Sequence, residues 1–271
     1  MTRTAIALLC CAWVLGCGGA SRDTEGTREI LENLSKAGFP VSDTRVVDGV
    51  VYVGGDAAVS LDASREMLET GNTRQEQYRT NNVVSTQIQI IKIRPSSSIP
   101  VKIRQGLVEA IANYNDLSFG IDFALESNPC ELDPNCPPHP PYAFIDLVIN
   151  PVSPGGPTAS TDFPSGGKPG ARIAIDAGVA QLSSNMIKHI ITHEIGHAIG
   201  LRHSDYYNRS ISCGTGGNEG TGGTVGAIHI TGTPTTAVPL GSLMNSCAPS
   251  SATGEFTASD ITALNALYPA P

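Results

Sequence analysis

His193-Glu194-Ile195-Gly196-His197-Ala198-Ile199-Gly200-Leu201-Arg202-His203 decides how this chain is read. On a helix, residues four apart lie about 40° apart in rotation and about 6 Å apart along the axis, so His193 and His197 share one metal. Glu194 is turned to the side of that pair, where a carboxylate reaches a water on the metal without displacing it, the position of a general base. If the helix continued, His203 would lie about 120° off the ligand face and about 9 Å beyond His197. Gly200 accepts the left-handed conformation that ends helices, so the chain reverses there and brings His203 back as a third ligand. Three histidines leave one tetrahedral position open, as in catalytic rather than closed structural zinc sites.

The spacing resembles the metzincin clan motif H-E-x-x-H-x-x-G-x-x-H, which a methionine turn follows. Gly241-Ser242-Leu243-Met244-Asn245, about forty residues after His203, is the matching turn, with Met244 as the floor under the imidazoles. Further stretches are similar to the dual-action HEIGH metallopeptidase family: R-H-S-D-Y-Y-N-R-S-I-S-C-G from Arg202, N-E-G at Asn218, G-A-I-H-I-T-G-T-P-T from Gly226 and D-I-T-A-L-N-A-L-Y-P from Asp260, within Gly49 to Pro269. The resemblance implies an α+β, metzincin-like fold. A twisted mixed sheet and two long helices lie above the cleft, with an irregular lower part over Arg202 to Ser251 and a C-terminal helix. It also implies a zinc endopeptidase with one catalytic Zn2+, His193, His197 and His203 as ligands, Glu194 activating a zinc-bound water, and a peptide or protein substrate.

Ser246 stands where several metzincins carry a tyrosine, so no residue is assigned to help the transition state. Tyr206 and Tyr207 are read as packing residues, and Asp205 either orients a ligand ring or caps a loop. Glu219 is a rival third ligand, set aside because its Gly-rich surroundings lack helical periodicity. His189 is read as a packing residue beside the ligands, His139 as a loop residue, and His229 as lying on a strand with its ring exposed. The competing function is a zinc-stabilised, non-catalytic binding or adhesion lipoprotein, for which Glu194 has no use.

Residues 1–16 read as a signal peptide: Arg3 precedes an apolar run from Ala5 to Leu15 that is too short to span a membrane. Val14-Leu15-Gly16-Cys17 resembles a lipobox, making Cys17 the lipidation site. It places an exported bacterial protein at the outer membrane or cell surface, touching membrane through that anchor only; plain secretion is the alternative. Of the other cysteines, Cys130, Cys136, Cys213 and Cys247 make an even set for two disulfides. Three pairings are possible, and the local one, Cys130 with Cys136 and Cys213 with Cys247, is favoured. A formal charge of −8 and a pI near 5.2 argue against nucleic acid as a partner.

Residues 17–26 are small and polar and read as a lipid-anchored tether. Residues 27–80 form an N-terminal pro-like or accessory segment, with a helix from Thr27 to Ala37, a strand-like V-V-D-G-V-V-Y-V, and a linker from Gly71 to Thr80. The catalytic domain is 81–271. It holds a central strand ending at Pro95 and a helix over Val101 to Tyr114, then strands at Ala143–Ile149 and Ala171–Ile175 flanking a Gly, Pro and Ser-rich loop. The zinc helix starts near Ser183 or Ser184, and Thr257 and Asp260 cap the last helix. The strand Ala171–Ile175 is the expected sheet edge for substrate. Asp56, in Val53-Gly54-Gly55-Asp56, has two readings. Gly-Gly-Asp is ordinary turn chemistry. It is also a sequence whose backbone approaches closely and whose carboxylate takes the open zinc position, making Asp56 a latency ligand.

Overall fold

The computed structural model describes residues 21–36, 39, 41, 44–53, 56–66, 68, 77–126, 142–151, 158–214 and 227–271. The cysteines at 17, 130 and 136, His139 and Glu219 lie outside them. No helix among the described residues is long and apolar enough to cross a membrane.

The N-terminal segment comprises α1 (Ser21–Lys36), β1 (Thr44–Val47), β2 (Val50–Val53), β3 (Ala57–Val59) and α2 (Leu61–Glu66). Helix α1 starts inside the stretch expected to be tether. The strand-like run is a hairpin, because Asp48 and Gly49 both take positive φ (51° and 82°) and make the two-residue turn whose twist suits paired strands.

The catalytic part contains β4 (Tyr78–Arg79), β5 (Ile90–Pro95), α3 (Val101–Asn115), β6 (Asp122–Leu125), β7 (Tyr142–Asn150), β8 (Ala159–Asp162) and β9 (Arg172–Asp176). After these come α4 (Ser184–Ala198), α5 (Ser210–Cys213), β10 (Ile228–His229) and α6 (Ala258–Leu267). One sheet runs in the order β1-β2-β3-β8-β9-β7-β5-β6. Strands β6, β5, β7 and β9 are parallel, β8 is antiparallel to β9, and β3 joins β8 in parallel. This corrects the expected substrate edge: β9 is covered by β8, a short polar strand inside the stretch read as loop.

Helices α3 and α4 pack behind the sheet, and Gly106 permits their close approach, since a Cβ there would stand 2.5 Å from Ile187 Cγ2. The main apolar core, including Ile91, Ile103, Leu107, Ile145, Ile173, Ile191 and Ile195, is drawn entirely from residues 84–268. Val101, at the first turn of α3, is 85% exposed. The expected linker also differs at its end. Gln77, Tyr78 and Thr80 are buried, with β4 paired to β10 and Thr80 N–H donating to Gly200 O, so Gln77–Thr80 is threaded into the catalytic part.

Candidate active site

Ser183 caps α4 by accepting from Met186 N–H at 3.2 Å, and the helix runs to Ala198. Gly200 then takes φ 103°, the reversal that returns His203 to the ligand face. His193 Nε2 and His197 Nε2 lie 3.2 and 3.3 Å from His203 Nε2. His193 Nδ1–H donates to Leu243 O at 3.0 Å and His197 Nδ1–H to Leu201 O at 2.8 Å. With the proton held at Nδ1, the Nε2 lone pairs of these two rings face the shared centre, an arrangement that is repulsive without a cation between them. Tetrahedral zinc with Zn–N near 2.0–2.1 Å places its nitrogens about 3.3 Å apart, so the residues fit that ion. Burial, and then His193, hold His197 well below the usual histidine range, in the neutral form a ligand needs.

The fourth corner is Asp56. Its Oδ2 lies 3.2 Å from His203 Nε2 and 3.7 Å from His193 Nε2, and Oδ1 lies 3.7 Å from His197 Nε2. The three imidazoles and the carboxylate have ligand atoms within 4.8 Å of one another. Oδ1 is buried without a hydrogen-bond partner, as expected of an atom aimed at a metal position. Burial works against its ionisation, yet His203, His193 and His197 hold the Asp56 carboxyl well below the ordinary range.

Glu194 is 3% exposed beside this cluster and is not one of its ligands. Burial, and next the charge of Asp56, push its carboxyl well above the usual range, against the hydrogen bond from Thr161 and the nearness of His203. Thr161 Oγ1 donates to Glu194 Oε2 at 2.5 Å, and Thr161 N–H donates to Asp56 O at 3.1 Å, so one β8 residue holds both carboxylate-bearing residues.

Met244 is 1% exposed beneath α4, and Gly196 explains how: a Cβ there would stand 2.6 Å from Met244 Sδ. Asp260, read from the sequence only as a helix cap, also accepts from Leu243 N–H, Ser242 Oγ and Gln77 Nε2. Leu243, whose carbonyl accepts from His193, is therefore also held through its own N–H. Asp205 contacts no ligand ring in these bonds. It accepts from the backbone N–H and hydroxyl of both Ser212 and Ser246, bracing the loop after His203. Tyr206 packs on Tyr78 with ring centroids 4.4 Å apart, and Tyr207 Oη accepts from Ala237 N–H. His229 is half-buried, its Nε2 2.9 Å from Thr233 Oγ1. His189 lines the cleft, its ring 6.2 Å from His193, and burial followed by His193 lowers its pKa to about 4. A cavity of about 540 Å³ opens beside His193 and Glu194, walled by Leu182, Met186, Ile190, Ala248 and Arg209.

Cys213 and Cys247 form a disulfide, Cα–Cα 5.1 Å, closing a loop of 34 residues between α5 and the methionine turn. Replacing both by serine is expected to cost about 2–5 kcal/mol, read as a shifted denaturant midpoint. A non-reducing peptide map joining Cys213 to Cys130 or Cys136 would refute the pairing.

A zinc position held by three imidazoles, with a buried carboxylate next to a ligand yet left off the metal, is the working arrangement of zinc metallopeptidases. The sequence agrees: residues 51–268 match the dual-action HEIGH metallo-peptidase family, and the chain belongs to that family. A search of curated proteins finds no match. Among solved structures, myroilysin is similar at 13% identity over 69% of this chain and 98% of its own, with a TM-score of 0.39. High choriolytic enzyme 1, a hatching enzyme zinc-protease from the medaka fish Oryzias latipes, is similar at 19% identity over 69% and 92%, with a TM-score of 0.41.

Proposed function

We propose that this zinc metallopeptidase is an endopeptidase made in a latent form, with Asp56 as the latency ligand and Glu194 as the general base. The observation that carries the proposal is the meeting of Asp56 with His193, His197 and His203, while Glu194 waits beside them. Zinc, when bound, supplies Lewis acidity to the scissile carbonyl and to water. The Nδ1 bonds to Leu201 O and Leu243 O keep the ligand rings aimed inward. Glu194 takes the proton of the attacking water and returns it to the leaving amine, with Thr161 Oγ1 holding its carboxylate toward the cleft.

Strand β8 is the surface for an extended substrate. Its inner edge bonds β9 and its outer edge, at Thr161 and Asp162, is taken by β3. Departure of β3 frees backbone groups next to the metal position for strand addition. A non-catalytic binding role has no use for Glu194, a carboxylate that is costly to bury and is held beside the metal position without being one of the clustered ligands. The test is digestion of a diverse peptide library, with cut sites read by mass spectrometry; no cleavage by metal-loaded protein freed of its N-terminal segment would sink the proposal.

We further propose that the chain is exported and held at the outer membrane or cell surface by lipid on Cys17. Cys17→Ser is expected to release the protein from the membrane fraction. An unmodified mature terminus beyond Cys17 in the native host would instead mean ordinary secretion.

A further inference from the structure

Phe163 immediately follows β8, and its ring meets the ligand His197 edge-on, centroids 5.7 Å apart. It is 3% exposed, yet its apolar neighbours are not those of the main core. The cluster that buries it consists of Ile30, Leu34, Phe39, Val51, Val53 and Val59, all from the N-terminal segment. Phe39 in that cluster also lies over the guanidinium of Arg202, 5.0 Å from ring to carbon, one residue before the ligand His203. The same guanidinium also lies over the Tyr206 ring, 5.4 Å from its centroid, a contact within the catalytic part.

A phenyl wall and a cation platform of the catalytic part thus meet residues 30–59: among the described residues the buried cluster around Phe163 is otherwise N-terminal, and Phe39 lies over Arg202. Both adjoin the imidazole cluster, and Phe163 continues β8, where an extended peptide replaces β3. We propose that Phe163 and Arg202 form a substrate subsite for an aromatic side chain, which Phe39 occupies in the form described. Phenyl against phenyl buries apolar area, and the guanidinium presents positive charge to a ring face; an aliphatic side chain gains only the first. The subsite rests on the proposal that the N-terminal segment is displaced before catalysis.

The test uses full-length chain carrying Glu194→Ala and an inserted protease site between residues 70 and 77, loaded with zinc, cleaved, and separated from its N-terminal fragment. Fluorescence anisotropy measures binding of heptapeptides in which one phenylalanine is walked through an alanine-glycine background. At one position, phenylalanine is expected to bind about tenfold tighter than alanine, and leucine to fall between them. Phe163→Ala is expected to bring that ratio below about two; Phe163→Leu, which preserves volume, is expected to reduce it about threefold and serves if the alanine variant fails to fold. If the fragment stays bound after cleavage, its displacement by the phenylalanine peptide and not the alanine peptide is the readout. A wild-type ratio near one at every position, or a ratio unchanged in the Phe163 variants, overturns the subsite. Because binding is measured without turnover, a failure of peptidase activity in the Glu194 protein is a separate result.

Discussion

Glu194→Ala is expected to keep about one zinc per chain while lowering turnover of a cleaved peptide by roughly 10²–10⁴-fold, the range for losing a positioned general base. The proposed ligands and the proposed base are separate residues, and Glu194 is tied to Thr161 and is not one of the clustered imidazole and carboxylate groups, so its removal is expected to leave that cluster intact. His197→Ala removes a ligand whose Nδ1 is already fixed by Leu201 O, and the zinc itself is expected to be lost. Metal content by atomic emission, read beside turnover, separates the two. Equal hydrolysis by wild type and Glu194→Ala would show that another group takes the proton.

The second large effect is the difference between intact and trimmed protein. Cleavage between residues 70 and 77 followed by loss of the N-terminal fragment is expected to raise activity at least about tenfold, equivalent to about 1.4 kcal/mol or more favouring the closed form. The segment is held at three places: Asp56 at the metal position, β3 along β8, and the apolar cluster around Phe163. From sequence, Asp56→Ala alone is expected to give an active full-length enzyme. The pairing of Ala57 and Ala58 with Thr161 and Asp162 changes that expectation, because it still covers the substrate edge when the carboxylate is gone. Asp56→Ala is therefore expected to show partial activity, and trimming to restore the rest. Full activity of intact wild type would make residues 27–66 a structural part of the mature enzyme.

What local spacing encodes was legible. The helical offset of His193 and His197, the glycine at position 200, the serine before α4 and the capping pair Thr257 and Asp260 each act within a turn or two of chain. Physical rules for single elements reach that far, and these residues stand where such rules put them. The hairpin at Asp48-Gly49 was legible in principle, since a two-residue Asp-Gly turn between valine pairs is a strong signal, but the valines alone read as one strand.

The sequence by itself brought His193, His197 and His203 together with Glu194 beside them, because helix geometry and one glycine suffice for groups that lie within eleven residues. Only the tertiary structure decided which strand borders the cleft, what covers it and where Asp56 goes. Ala-Ser-Thr-Asp has no hydrophobic alternation to mark β8, and its pairing joins residues about a hundred positions apart at Ala57 and Thr161. Thr161 also meets Glu194 from well outside its own stretch of chain, and Gly196 makes room for the sulfur of Met244 in the same way. Contacts of that range depend on how whole elements pack, and nothing in a short window of sequence records them.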